Sequence, residues 1–377
     1  MAIDGMKVID LDSHLVGDLE NWGTTIEEKY KPYLPMKLPT KDNERRKTLI
    51  GNRIMVGSEL GRHKAEKHEW FKPEDLTPLG RVRNLDLDGI DVGVLSPNSP
   101  ALDILWFVDD AELAAAYARA QNNYMNYYAS QQPGRLMWAG VVPLQDPKDA
   151  IKELHRSREL GSKALNVKAT PISGKEWWDP YFHPIFKELQ ELKMPIIFHD
   201  TKTGSMGHER FADNFFFSHM VGRTIETMVC LMVYICGGIL EKFADLKIIC
   251  LETGASQMPW WLSRMDEHYE KLPHLVPWLK RKPTEYFNQS VYVGCEPFED
   301  GLFEWAIEYL GGDRLVLATD SPHWDSSQPR TGDGTDLGEH EDFKREQEES
   351  SRRERDQAPR IRVLSPWRPQ VFRLPAG

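Results

Sequence analysis

Several short apolar stretches of this chain end in a histidine or a carboxylate, the side chains that bind divalent metal ions and move protons. They are “VIDLDSH” with Asp12 and His14, “PIIFHD” with His199, “LKIICLE” with Glu252 and “RLVLATD” with Asp320. Residues i and i+2 of a strand share one face, so Asp12 and His14 can point in the same direction. A single histidine at a strand end is usually an ordinary polar residue. Histidines and carboxylates that converge from several strand ends in one cavity form a site for zinc or a similar divalent ion.

The fold must therefore bring these strand ends together. β-type runs recur eight times along the chain, and most are apolar throughout, which is typical of parallel strands covered by helices. Between them lie segments with helical periodicity, such as 109–131, 146–160 and 179–192. This alternation predicts an α/β fold, a (β/α)8 TIM barrel, in which catalytic residues gather at the C-terminal ends of the strands. A doubly wound open sheet is the alternative, but no strand is followed by the GxGxxG motif.

Two regions depart from the repeat. A long, charged insertion covers about residues 20–85, after strand 1, and could form a lid over the barrel mouth. The segment 328–377 contains “GEHEDFKREQEESSRRERDQ”, which is dense in both signs of charge and indicates a solvated helix or a disordered arm. We therefore expect a metal-dependent barrel domain over residues 1–327 and an atypical charged C-terminal tail over residues 328–377.

Composition limits the classes of partner. The 377 residues include 47 basic and 58 acidic side chains, and the formal net charge of −11 disfavours nucleic acid or an anionic membrane. The four cysteines have no CxxC spacing, so neither a thiolate zinc site nor a disulfide framework is expected. The N-terminus lacks a signal-peptide pattern, and the most apolar stretch, 228–240, is too short to span a bilayer. We expect a cytoplasmic protein that acts on a small molecule.

Four stretches carry a resemblance to a known family: “DLDSH”, “PIIFH”, “LKIICLETGASQMPWWLSRMDEHYE” and “GGDRLVLATDSPHWDSS”. They resemble the amidohydrolase-2 branch of the amidohydrolase superfamily, over residues 6–327. That branch includes metal-dependent hydrolases and the nonoxidative decarboxylases of aminocarboxymuconate semialdehyde and γ-resorcylate. The resemblance implies a distorted TIM barrel with one divalent metal ion, zinc or else manganese, as its cofactor. It also implies a homodimer or a higher homo-oligomer.

Carried over by position, the resemblance assigns the metal ligands to Asp12, His14, His199 and Asp320 and also gives Asp320 a part in proton transfer. One position departs from the pattern, because the decarboxylases have a histidine where this chain has Glu252. Glu252 is predicted to carry protons or to be an additional metal ligand, and a salt bridge at the barrel rim is the structural alternative.

Further candidate residues lie in the loops of the same rim. His219, in “FFFSHMVGRTIE”, resembles a histidine that is common in this branch, and His323, in “DSPHWD”, is close enough to Asp320 to reach the site. Both are predicted catalytic residues. Lys168 ends strand 4, where binuclear members of the superfamily carry a carboxylated lysine that this branch normally lacks.

This set of residues predicts a metal-dependent hydrolase of aromatic compounds or amides. Zinc in such a site lowers the pKa of its bound water to about 7, and Asp320 would accept a proton as the hydroxide attacks. The targets would be an amide C–N bond or an amine or nitro substituent on a heteroaromatic ring. The first alternative is a nonoxidative decarboxylase, which Glu252 disfavours because a second negative group would repel a carboxylate substrate. The second alternative is a barrel that binds a ligand without catalysis.

Overall fold

The computed structural model describes residues 7–15, 17–41, 44–60, 73–172, 174–199, 210–211, 214–295, 299, 302–323 and 326. Its strands, in chain order, are β1 (Ile9–Leu15), β2 (Met36–Leu38), β3 (Arg45–Ile50), β4 (Arg53–Leu60), β5 (Val92–Pro97), β6 (Leu136–Gly140), β7 (Ala164–Val167), β8 (Ile196–Phe198), β9 (Ile248–Cys250), β10 (Val291–Cys295) and β11 (Leu315–Leu317). Eight of them close into a barrel in the order β1-β11-β10-β9-β8-β7-β6-β5, and β2-β3-β4 form a separate sheet. The closed parallel barrel confirms the predicted fold.

Burial on both faces explains why the barrel strands are apolar throughout. Every residue of β5, β7, β8 and β9 is buried, since side chains that point inward meet the barrel core and those that point outward meet helices. The barrel closes because β1 pairs in parallel with both β5 and β11. The inner core mixes small and branched side chains, namely Ala139, Ala164, Ile197, Ile249, Leu251 and Ala318.

The helices cover the barrel, and some of them begin at a residue whose side chain caps the first turn. In chain order they are α1 (Asp18–Thr25), α2 (Pro78–Leu87), α3 (Ser99–Phe107), α4 (Ala111–Ala129), α5 (Pro147–Leu160), α6 (His183–Leu192), α7 (Phe215–Cys236), α8 (Ile239–Lys242), α9 (Met258–Lys271), α10 (Pro283–Ser290) and α11 (Phe303–Leu310). The Asp110 carboxylate caps α4, and that of Asp146 caps α5 by accepting from the backbone N–H of Lys148. Gly161, with φ 115°, ends α5. The predicted helices within 109–131, 146–160 and 179–192 are therefore confirmed as α4, α5 and α6.

The insertion after β1 contains α1, the antiparallel sheet β2-β3-β4 and α2. The sequence gives no clear sign of this sheet, because β3 reads “RRKTLI” and is only half-buried before Ile50. Its register is set by a tight turn at Gly51, which has φ 58°. Residues 61–72 lie outside the described residues, so the lid over the barrel mouth stays a prediction.

The helix α7 is long and apolar enough, by length and composition, to cross a membrane. However, 56% of its apolar window is buried inside the protein, and Leu231, Tyr234 and Ile235 belong to the main core cluster. This is the pattern of a core helix in the barrel wall. The tail over residues 328–377 and the domain boundary at residue 327 lie outside the described residues and stay predictions.

Candidate metal and catalytic site

The C-terminal ends of three barrel strands bring the four predicted metal ligands together. Asp12 and His14 lie in β1, His199 directly follows β8, and Asp320 lies just beyond β11. One potential ligand atom from each residue lies within 4.8 Å of those from the other three. The four residues are 0% to 4% exposed, so they line a site from which bulk water is largely excluded.

Short contacts between opposite charges set the protonation of this cluster. Nε2 of His14 lies 3.4 Å from Oδ1 of Asp12 and 3.0 Å from Oδ1 of Asp320, and Nε2 of His199 lies 3.3 Å from the same Asp12 oxygen. Burial opposes the charge on Asp12, but the imidazoles of His199 and His14 outweigh it and lower the pKa of Asp12 to about 2. Burial also opposes the charge on His14, and the carboxylates of Asp12 and Asp320 outweigh it and raise the pKa of His14 to about 9. Burial lowers the pKa of His199.

His323 forms a close pair with Asp320. Its Nδ1 lies 2.6 Å from Oδ1 of Asp320, and its ring stacks on His14 with the centroids 4.0 Å apart. Burial lowers the pKa of His323 to about 3, so the ring is neutral near pH 7 and Nδ1–H donates to the carboxylate. Burial opposes the charge on Asp320 too, but His323 and His14 hold the pKa of that carboxyl well below its usual range.

The cluster fits one divalent metal ion. The contacts of His14 with Asp12 and Asp320 are short but lack hydrogen-bond geometry. Among the described residues, neither carboxylate oxygen of Asp12 and neither ring nitrogen of His14 therefore has a hydrogen-bond partner. Buried polar atoms almost always have a hydrogen-bond partner, so a group of potential ligand atoms without such partners indicates a site for a metal ion. Two imidazoles and two carboxylates suit zinc, and the same donors also bind manganese.

Asp10 fixes the backbone that carries these ligands. Its buried carboxylate accepts hydrogen bonds from the backbone N–H of Asp12 and Thr319 and from the hydroxyls of Ser13 and Thr319, at 2.7–3.1 Å. Since Thr319 precedes Asp320, one side chain ties β1 to the end of β11 at the ligand positions. The sequence analysis does not single out Asp10, because its partners lie at opposite ends of the barrel domain.

Glu252 lies between a cation and a candidate ligand. One of its oxygens contacts the guanidinium of Arg223, in α7, and the other lies 3.5 Å from Nδ1 of His199. Both are contacts between charged or polar groups without hydrogen-bond geometry. Its backbone has φ 52°, in the left-handed region that side chains other than glycine rarely adopt. A second group with potential ligand atoms within 4.8 Å of one another comprises His14, Glu252, Asp320 and His323.

The partner of Glu252, Arg223, is absent from the sequence-based predictions. It is 6% exposed, and its charge lowers the pKa of both His199 and His323, after the larger effect of burial. The available signal was an arginine within the long apolar pattern of α7. A buried charge in such a helix requires a partner.

Two other candidate residues, His219 and Lys168, contact Phe215 and Asp103. His219 is half-buried in α7, with its ring 5.0 Å from that of Phe215, and it belongs to neither ligand group of the described residues. Its catalytic role stays a prediction. Lys168 is buried, and its Nζ lies 2.9 Å from Oδ1 of Asp103, so an ion pair accounts for this lysine.

Barrel strands that deliver two histidines and two carboxylates into one buried cluster define a metal-binding (β/α)8 barrel. A family model of the amidohydrolase-2 type, described as Amidohydrolase, matches residues 64–349, well over half of the chain. The chain therefore belongs to the amidohydrolase family. The matched range does not include Asp12 and His14, so the geometry alone supports their assignment to the site. The range also extends into the segment 328–377 that is predicted to be a tail.

The curated relatives that this chain resembles have decarboxylase names. It is 25% identical over 247 residues to a 2-amino-3-carboxymuconate-6-semialdehyde decarboxylase of Dictyostelium discoideum, a match that covers 65% of this chain and 66% of that protein. It is 28% identical over 255 residues to a gamma-resorcylate decarboxylase of Polaromonas sp. strain JS666, covering 64% of this chain and 76% of that protein. A crystal structure of dihydroxybenzoic acid decarboxylase from Polaromonas sp. JS666, with bound manganese and the inhibitor 2-nitroresorcinol, has a TM-score of 0.60 and 21% identity over 85% of this chain and 87% of that one.

The expected hydrolase activity is wrong in the light of these relatives, and the decarboxylase alternative has the better support. The negative charge of Glu252 disfavours a carboxylate substrate only if no cation offsets it. The structure removes this objection, because the guanidinium of Arg223 contacts the Glu252 carboxylate and offsets its charge.

Proposed function

We propose that this protein is a nonoxidative decarboxylase of a small aromatic or muconate-type carboxylate. The observation that carries the proposal is that the curated relatives of this amidohydrolase-family chain are decarboxylases of such compounds. The buried cluster of Asp12, His14, His199 and Asp320 supports it, because it offers the donor set for a divalent ion, zinc or manganese. When bound, the ion would supply positive charge that attracts the carboxylate and hydroxyl oxygens of a substrate.

The proton that replaces the carboxylate must come from a side chain at the site. The low pKa of Asp320 makes it a carboxylate at neutral pH, ready to accept the proton of a substrate hydroxyl beside the carboxylate. Asp320 then delivers this proton to the ring carbon. The C–C bond breaks, its electron pair stays on the ring, and carbon dioxide leaves. The Nδ1–H of His323, 2.6 Å away, holds the Asp320 carboxylate in one orientation throughout.

The charge of the described site suits a substrate with one carboxylate. Asp12, Asp320 and Glu252 contribute three negative charges, and Arg223 contributes one positive charge. His14 would lose its proton on binding the ion, because a ligand histidine is neutral, so it adds no charge to this sum. A divalent ion brings the sum to zero, so a monoanion can enter without net repulsion. Hydroxybenzoates with a hydroxyl next to the carboxylate meet this requirement and provide the proton for Asp320.

The proposal is tested with the purified protein loaded with Mn²⁺ or Zn²⁺ and incubated with 2,6-dihydroxybenzoate, 2-hydroxybenzoate and other aromatic carboxylates. We expect carbon dioxide and the decarboxylated product from at least one of them, loss of turnover on chelation and recovery on adding metal. An Asp320→Asn variant should lose turnover, and Glu267→Gln, an exposed change in α9, should keep it. Metal-loaded protein that releases no carbon dioxide from any of these compounds would overturn the proposal.

We also propose that the protein works as a cytoplasmic homodimer, as the family resemblance implies and as cyclic symmetry favours. Sedimentation at micromolar concentration should give twice the chain mass of 43.5 kDa. A monomer under these conditions would refute the dimer.

A further inference from the structure

His199 lies between two carboxylates, one at each ring nitrogen. Its Nε2 is 3.3 Å from Oδ1 of Asp12, on the side of the candidate ligands, and its Nδ1 is 3.5 Å from Oε2 of Glu252. A histidine that binds a metal through one nitrogen keeps its proton on the other, where a carboxylate fixes the tautomer and the ring orientation. We propose that Glu252 is a positioning residue that holds His199 ready to bind the metal ion through Nε2.

Glu252 is itself held from the opposite side. Its other oxygen contacts the guanidinium of Arg223, and the two side chains are 5% and 8% exposed. Arginine presents several N–H groups in a rigid plane, so this contact fixes the carboxylate in space and offsets its charge. Successive contacts therefore link Arg223 to Glu252, Glu252 to His199 and His199 to Asp12. Cationic or imidazole groups alternate with carboxylates along this series, which ends at the metal cluster.

The backbone at Glu252 is consistent with a positional requirement. A φ of 52° at a residue other than glycine is a strained backbone conformation, which persists where the surroundings impose it. The following loop is anchored by Glu299, which is 1% exposed and accepts the backbone N–H of Ser256 at 2.6 Å. Gly254 has φ 74°, and a Cβ there would lie 3.1 Å from the same carboxylate. These contacts hold the loop in place and so restrict the position of the Glu252 side chain beside His199.

A positioning role differs from a proton-carrying role in what its loss changes. Removing the carboxylate that orients a ligand histidine typically weakens metal binding or activity by about 10–100-fold. Removing a proton carrier lowers kcat by about 10²–10⁴-fold even when the metal is bound. Metal affinity needs no substrate, so it reports on the Glu252 arrangement independently of the reaction.

The test measures the binding of Mn²⁺ and of Zn²⁺ to the chelator-treated full chain by titration calorimetry. The variants are Glu252→Gln, the double variant Glu252→Gln with Arg223→Met, and Glu153→Gln as the matched control. The double variant removes the unpaired arginine charge, so it keeps the test valid if the single variant folds poorly. The control removes another buried, arginine-paired carboxylate, in α5, whose contacts found in the described residues are with Arg156 and Asn122.

We expect the two Glu252 variants to bind metal about 10–100-fold more weakly and Glu153→Gln to stay within about threefold of the parent protein. At saturating metal the double variant should keep kcat within about tenfold. Unchanged metal affinity in both Glu252 variants would overturn the inference, as would a kcat loss of about 10²–10⁴-fold at saturating metal. The inference rests on the metal site of the proposed function, and the two fail differently. A parent protein that binds neither ion refutes the site itself, whereas unchanged variants refute only the role of Glu252.

Discussion

The Arg223–Glu252 pair gives a direct prediction about stability. Replacing Arg223 with Met keeps a long apolar stem but leaves the Glu252 carboxylate buried without its cation. With only 8% and 5% of the two side chains exposed, solvent can compensate little of the lost charge. Breaking a buried ion pair by removing one partner typically costs about 3–5 kcal/mol, and we expect the free energy of unfolding to fall by that amount.

The assay is equilibrium unfolding in urea, followed by circular dichroism in the presence of a chelator so that metal binding does not contribute. The matched control is Arg264→Met, which breaks the Arg264–Glu267 pair of α9, whose side chains are 51% and 41% exposed. An exposed pair of this kind contributes at most about 1 kcal/mol. The double change of Arg223→Met with Glu252→Gln should recover most of the loss, because no charge is then left unpaired. The reasoning is refuted if Arg223→Met costs no more than Arg264→Met.

Three further predictions concern the cluster itself. Asp320→Asn should lower kcat by about 10²–10⁴-fold in steady-state assays at saturating metal, because the amide cannot carry the proton, and a loss below tenfold would count against its role. In metal-free protein, the raised pKa of His14 stabilises the fold fully below about pH 6.5, its ordinary value, and this stabilisation is lost as the pH rises through about 9. Thermal unfolding at pH 6 and pH 9 should show this fall and His14→Asn should abolish it, whereas equal pH dependence in both proteins would contradict the cause. Asp10→Ala should weaken metal binding by about 10–100-fold in calorimetry, since the backbone N–H groups of Asp12 and Thr319 lose their shared acceptor. Unchanged affinity would show that the hydrogen bonds are only structural.

The barrel and the ligand cluster could be predicted because each rests on a local pattern. An apolar run that ends in histidine or a carboxylate shows both the strand and the residue at its end, and barrel geometry then gathers those ends at one rim. The strand β8 with His199 illustrates this, since its three residues are all buried and the histidine directly follows them.

The residues that could not be predicted depend on contacts between distant parts of the chain. Arg223 is one residue of the long helix α7, and only the folded barrel brings it into contact with Glu252. The local sequence does not distinguish Asp10 from the other strand residues, because its partner Thr319 comes from the end of β11, more than 300 residues along the chain. The sheet β2-β3-β4 could not be predicted, because charged strands on a half-exposed surface show little alternation of apolar and polar residues. The prediction of hydrolysis was wrong for the same reason, because the sequence alone does not show that Arg223 contacts Glu252 and offsets its charge.

The central claim, nonoxidative decarboxylation, is tested most directly by turnover in deuterated and in ¹⁸O-labelled water. The metal-loaded protein is given the best aromatic carboxylate, and the organic product is analysed by mass spectrometry and NMR. Decarboxylation replaces the carboxylate with one hydrogen from solvent, so we predict a single deuterium at that ring carbon, release of carbon dioxide and no ¹⁸O in the organic product. A product that carries ¹⁸O on the ring or at a former C–N bond, without release of carbon dioxide, would contradict the account.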